Sequence, residues 1–127
     1  YTAMTQFLGF PNFGDEYKVM GLAPYGNPKY MNEMREIIKL KRNGKYELNL
    51  SYFNHATKRI PNQWSQGYPT IGKHYSDKLV HLLGKDRSPE EAINQFHKDI
   101  AASVQLMYEE AFFNILNYFY RKYIKHD

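Results

Sequence analysis

Apolar positions recur at helical steps in several tracts of this chain and at a strand-like step in one. Between Pro28 and about Leu40, Tyr30, Met31, Met34, Ile37 and Ile38 return every three or four residues, and Asn32, Glu33, Arg35, Glu36 and Lys39 fill the other side. The spacing predicts a helix over 28–40 with one buried and one wet face, and Pro28 suits its first turn. Tyr46, Leu48, Leu50 and Tyr52 alternate with Glu47, Asn49 and Ser51, the period of a half-buried strand, after a turn at Arg42-Asn43-Gly44-Lys45. Tyr75, Leu79 and Leu82 predict a helix over 74–83 that ends at Gly84.

The strongest local signal is Ser88-Pro89-Glu90-Glu91, which reads as a capping box with Pro89 at the first helical position. Behind it, Ile93, Phe96, Ile100, Val104, Met107, Ala111, Ile115 and Tyr118 form one seam, so a helix is expected over 89–123. At about 1.5 Å per residue such a helix is roughly 50 Å long. A globule of this length is only about 36 Å across. The helix is therefore expected to bend, break or project, and Phe112, Phe113, Phe119 and Tyr120 give its second half apolar groups on more than one side.

The other segments are less periodic. Residues 1–10 predict a strand or short helix closed at Gly9-Phe10-Pro11. Asp15 to Leu22 predicts a short helix started by Asp15 and stopped by Pro24. Residues 54–73, with Pro61, Gly67, Pro69 and Gly72 and no period, predict a loop that can hold a helical turn. The whole is expected to be α+β, predominantly α, with a long C-terminal helix and a small β element.

Composition narrows the picture. The 127 residues suit one domain or a piece of one, and 43% apolar content allows a modest core. No run approaches the roughly 18 to 20 apolar residues of a membrane span. The chain opens with neither an initiator Met nor a signal-type run, and it contains no cysteine. A soluble, cytoplasmic protein without disulfides or thiolate metal sites is expected, with no membrane partner. The formal charge of +4 is scattered over Lys39 to Arg42, Lys58-Arg59 and Arg121-Lys122, so a nucleic-acid partner is not indicated. The 12 Tyr and 8 Phe fit surfaces covered by further structure, or an exposed aromatic patch that binds a partner or a second copy.

Candidate chemistry gathers in residues 14–26, Gly-Asp-Glu-Tyr-Lys-Val-Met-Gly-Leu-Ala-Pro-Tyr-Gly. Glycine admits close backbone approach, and Glu16 and Lys18 could hold opposite ends of a polar ligand, such as ribose hydroxyls and phosphate oxygens. The same string also serves as a helix-to-loop corner, with Glu16 and Lys18 in surface ion pairs and Gly21 and Gly26 permitting turns. His74 and His81 are two helical turns apart, about 10 Å, too far to share one metal ion. Glu109 and Glu110 point in different directions on a helix. Asp99, Ser103 and Gln105 read as helix-to-neighbour hydrogen bonds or as groups approaching a site. No Walker loop, nucleophile elbow or cysteine nucleophile is present.

The pattern Thr5-x-x-Leu8-Gly9-Phe10, a gap, then Glu16-Tyr-Lys-Val-Met-Gly-Leu-Ala-Pro-Tyr-Gly26 resembles the N-terminal region of O-carbamoyltransferases that modify nodulation factors and antibiotics. Tyr52-Phe53-Asn54, Arg87-Ser88-Pro89-Glu90, Asp99 to Gln105 and Glu109-Glu110 resemble the same family in the same order, with residues 58–85 the least recognisable. The resemblance implies ATP and carbamoyl phosphate as substrates, a carbamoyl-adenylate intermediate and a hydroxyl acceptor. It also implies an actin-like, sugar-kinase-like ATPase fold, of which residues 1–127 would be one internal part.

On that resemblance Glu16, Lys18, Gly21 and Gly26 are nucleotide-binding candidates, none of the residues is assigned a catalytic role, and the partner is the remainder of the same polypeptide. The family's His-x-x-x-His iron ligands and its Gly-Gly-x-x-x-Asn phosphate loop are expected outside these residues. ATP and iron therefore belong to the longer protein, neither is held wholly here, and the segment alone is expected to be inactive. A non-enzymatic helical interaction module with an exposed aromatic face is the alternative.

Overall fold

A computed structural model describes residues 1–55, 59–60, 62–65 and 67–124. In chain order it contains helices α1 (Thr2–Phe7), α2 (Glu16–Leu22) and α3 (Met31–Ile37), and a hairpin of β1 (Ile38–Leu40) and β2 (Tyr46–Leu48). A second hairpin of β3 (Asn62–Ser65) and β4 (Tyr68–Ile71), helix α4 (Asp77–Leu83) and the 25-residue helix α5 (Gln95–Phe119) complete it. The architecture is mixed α+β and mostly helical, with both two-stranded sheets antiparallel.

Helix α5 is the axis on which the rest assembles. Its first half is buried through Ile100, Val104 and Met107 of the expected seam, joined by Ala101, in one core with Phe7 of α1, Leu8, Val19 of α2, Met34 of α3 and Leu79 of α4. Its second half supports the first hairpin, where Asn114 donates to the carbonyls of Lys41 and Lys45 at 3.2 Å, and helix α3, whose Arg35 pairs with Glu110 at 3.2 Å. Beyond that contact Phe113, Phe119, Tyr120 and Tyr123 are exposed, and a single π turn over Tyr120–Ile124 continues the helix. The long helix is thus shorter than the expected 89–123 and its end projects, one of the three outcomes the length argument allowed.

Tertiary contacts move several predicted boundaries. The capping box at Ser88 does not start α5. Glu91 still closes a turn with Ser88, its amide bonding the Ser88 carbonyl at 3.0 Å, but the Arg87 guanidinium takes the carbonyls of Glu91 and Pro89 at 2.8 and 3.1 Å. Those carbonyls would otherwise accept the next helical amides. The helix begins six residues later, where Asn94 and His97 form a reciprocal box.

The helix expected over 28–40 covers only Met31–Ile37. The amides of Asn27 and Tyr30 are claimed by Asp99 and Ser103 of α5, which holds 27–30 out of helical geometry. At the other end Ile38–Leu40 pairs with β2, because Asn43 and Gly44 take the positive φ values of 61° and 71° that the tight reversal needs. The strand expected over 46–52 ends at Leu48: the Asn49 side chain accepts from the Ser51 amide at 3.2 Å and starts a 3-10 turn over Leu50–Tyr52.

Part of the predicted 54–73 loop is the β3–β4 hairpin, which reverses beside Gly67 at φ 82°. Residues 56–58, 61 and 66 of that prediction lie outside the described residues. The helix expected over 74–83 begins at Asp77 and ends at Gly84 as predicted, while Tyr75 forms a bridge to Phe53. Residues 1–10 resolve into the helical alternative. Pro24 does not stop α2 outright, since the chain runs on into a 3-10 turn over Ala23–Tyr25.

Candidate functional site

Helix α2 is short and amphipathic, with Val19 fully buried and Tyr17 and Met20 exposed. Asp15, at its N-terminal boundary, is itself buried. Its carboxylate does not cap α2; one oxygen accepts from the Asn12 amide at 3.0 Å and the other holds the Lys18 ammonium at 2.9 Å. The hydrogen bond to Asp15 holds Lys18 above its usual pKa and keeps it charged. The ammonium stands 5.7 Å from the Phe10 ring centre, and the Arg87 guanidinium stands 5.2 Å from the same ring. Phe10 therefore carries two cations, an arrangement favoured by the negative charge of an aromatic face.

Glu16 accepts from the Thr2 hydroxyl at 3.0 Å and so ties α2 to α1. Gly21 faces open space: a Cβ there would meet nothing within 4 Å. Glu16, Lys18 and Gly21 thus share one short helix, while Gly26 sits elsewhere, with its backbone pressed on α5. A Cβ at Gly26 would lie 1.9 Å from the Lys98 carbonyl oxygen.

That close approach is part of a hydrogen-bonded seam. Asp99, 3% exposed, accepts from the Asn27 amide and the Gln95 side chain, each at 2.8 Å, and faces Lys29 at 3.6 Å. The Asn27 amide, then Gln95, hold its carboxyl below the ordinary range. Ser103 donates to the Asp99 carbonyl at 2.7 Å and accepts from the Tyr30 amide at 3.1 Å. Gln105 accepts from the Tyr1 hydroxyl at 2.7 Å. All three residues act between α5 and its neighbours, one of the two readings their sequence allowed.

Two features were not singled out by the sequence. Asp15 was read as a helix start, and only the fold reveals it as the buried anchor of Lys18. An apolar groove of about 400 Å³, lined by Met4, Met34, Ile37, Val104, Met107 and Phe112, opens between α1, α3 and α5. Among the described residues, no three His, Asp, Glu or Cys side chains come together. They do not fit the iron that the resemblance implies. No helix among them is long and apolar enough to cross a membrane.

Comparison with known proteins supplies the lineage. The family model described as carbamoyltransferase N-terminus matches residues 1–126. The uncharacterized protein sll1178 of Synechocystis is 38% identical over 124 residues, covering 96% of this chain and 18% of the relative. The nodulation protein NolNO of Sinorhizobium fredii is 30% identical over 119 residues, 93% of this chain and 14% of its own. NolO of Bradyrhizobium diazoefficiens is 29% identical, again over 93% of this chain, and 17% of its own. The chain spans less than a fifth of the length of each of these relatives. With a match that takes in every helix and strand from α1 to α5, this chain belongs to the carbamoyltransferase N-terminal family.

Proposed function

We propose that these residues are one part of an ATP-dependent O-carbamoyltransferase, which activates the carbamoyl group of carbamoyl phosphate as carbamoyl-adenylate and passes it to a hydroxyl acceptor. The match over residues 1–126 carries this reading. In it, α1, α2 and α5 belong to an actin-like ATPase domain completed by the remainder of the same polypeptide, and α2 lines one wall of the nucleotide pocket. Lys18, charged and anchored by Asp15, acts as a point charge on phosphate oxygens. Glu16 offers its second carboxylate oxygen to ribose hydroxyls, and the open space at Gly21 admits the ligand close to the backbone. Gly26 contributes by seating the 26–30 loop on α5.

The second reading, a helical interaction module, is supported by the exposed aromatic end of α5. Lys18→Ala in the full polypeptide separates the two. The transferase reading expects kcat/KM for ATP in carbamoyl transfer to fall by about 100-fold, the scale of losing one charge-stabilising group, with Tm changed by only a few degrees. Unchanged ATP kinetics in Lys18→Ala would refute the nucleotide role.

A further inference from the structure

The geometry points to a second anion-binding element beside Lys18: the cleft between the C-terminal end of α1, the end of β4 and residues 85–89 binds a phosphoryl group. This open cleft, of about 390 Å³, is lined by Lys73, Lys85 and Arg87, with Asp86 as its only acidic side chain among the described residues. Asp86 is already engaged, accepting the Tyr75 hydroxyl. Burial and that bond push the Tyr75 pKa upward, so the phenol keeps its proton and stays the donor.

The cations are less committed. Arg87 donates to the carbonyls of Leu8 at 2.9 Å, Pro89 at 3.1 Å and Glu91 at 2.8 Å, and among the described residues it has no carboxylate within ion-pair distance. Carbonyls orient a guanidinium but leave its net charge in place, and two of its five N–H groups remain for a ligand. Half-buried charge without a counter-ion is costly, which favours an anion in the cleft. Lys85 is exposed and takes part in no ion pair among the described residues. Lys73 stands 4.5 Å from the Tyr75 ring centre, and among the described residues its one ion pair is a long one, 3.7 Å, to a highly exposed Asp77.

Close backbone packing also fixes the position of Arg87 in the cleft. Gly9, at φ 81°, lets Arg87 close on the chain: a Cβ there would be 2.7 Å from Arg87 Nη1. Arg87 and Lys18 both stand near the Phe10 ring, 5.2 and 5.7 Å from its centre, so the cleft adjoins the α2 wall. The identity of the phosphoryl compound rests on the transferase reading; the anion site itself rests on the geometry.

Isothermal titration of the full polypeptide with ATP, carbamoyl phosphate, inorganic phosphate and adenosine tests it. Lys85→Ala and Lys73→Ala are each expected to weaken at least one of the three phosphoryl compounds by about fivefold or more, without changing adenosine binding. The compound that responds identifies the source of the phosphoryl group. Lys39→Ala, which removes the same charge outside the cleft, is expected to bind as wild type. Wild-type affinity in both cleft variants, or an equal loss in Lys39→Ala, overturns the proposal. Either result leaves the transferase reading standing, because that reading is scored by carbamoyl transfer in Lys18→Ala.

Discussion

Gly26 touches Lys98 through backbone alone: a single added methyl would stand 1.9 Å from the Lys98 carbonyl oxygen and 2.2 Å from its carbon. Neither atom can move without shifting α5. Gly26→Ala is expected to cost about 3 kcal/mol and to lower Tm by roughly ten degrees. Gly21→Ala, which meets open space and gains helix propensity, is expected to leave Tm unchanged or raise it slightly. Differential scanning calorimetry of the two variants checks the contrast.

Asp99 predicts acid sensitivity. Its folded pKa lies below the ordinary value of 3.8, so the unfolded chain binds the proton more readily in that window. The stabilisation is complete above about pH 4 and is lost as pH falls through the folded pKa. Urea unfolding between pH 2.5 and 6 is expected to show this slope, and Asp99→Asn to be less stable at pH 6 and flatter toward acid.

His97 acts in a different window. Its Nδ1 accepts from the Asn94 amide at 3.0 Å, so the ring serves the capping box only while that nitrogen is unprotonated. Burial lowers its pKa from 6.5, with Glu91 opposing and Arg87 assisting. The folded state therefore binds fewer protons than the unfolded one just below pH 6.5, and the stabilisation present above that value declines as pH drops. His97→Gln keeps an acceptor at the third helical position and is expected to remove this slope, whereas His97→Ala is expected to cost about 1 kcal/mol at pH 8.

Asp15 and Lys18 are expected to act as a unit. If Lys18 contacts nucleotide only when anchored, Asp15→Asn lowers kcat/KM for ATP, and the Asp15→Asn/Lys18→Ala double variant is no worse than Lys18→Ala alone. Additive losses in a double-mutant cycle would show that the buried carboxylate does not position the lysine.

The legible parts of the fold are those fixed by local periodicity. The apolar seam of α5 and the cores of α3 and α4 follow from three- and four-residue spacing, α2 from its flanking Asp15 and Pro24, and the first hairpin's reversal from Asn43-Gly44. What escaped the sequence depends on partners far along the chain. Arg87 intercepts the carbonyls that a helix from Ser88 would use, and Asp99 and Ser103 hold the residues before Met31. The strand β4 is obscured by Pro69, which breaks the alternation yet still accepts the Phe13 amide at 3.5 Å. At the site, Glu16 and Lys18 were visible as residue types in a recognisable string. The anchor at Asp15 and the cationic cleft were not, since Lys73 and Arg87 are brought together only by the folded backbone.

The contacts of α5 also set an order of events. Gly26 meets Lys98, Asn27 meets Asp99, Tyr30 meets Ser103 and Tyr1 meets Gln105, so these residues find partners far along the sequence, 72 positions away for Asn27 and 104 for Tyr1. During synthesis α1 and α2 leave the ribosome before α5, whose Ile100 and Val104 share a core with Phe7 and Val19, has been made. Loop closure over that separation is slow, and exposed apolar surface in the interval invites chaperone binding. Helices α1 and α2 thus wait on a helix made some seventy residues or more after them.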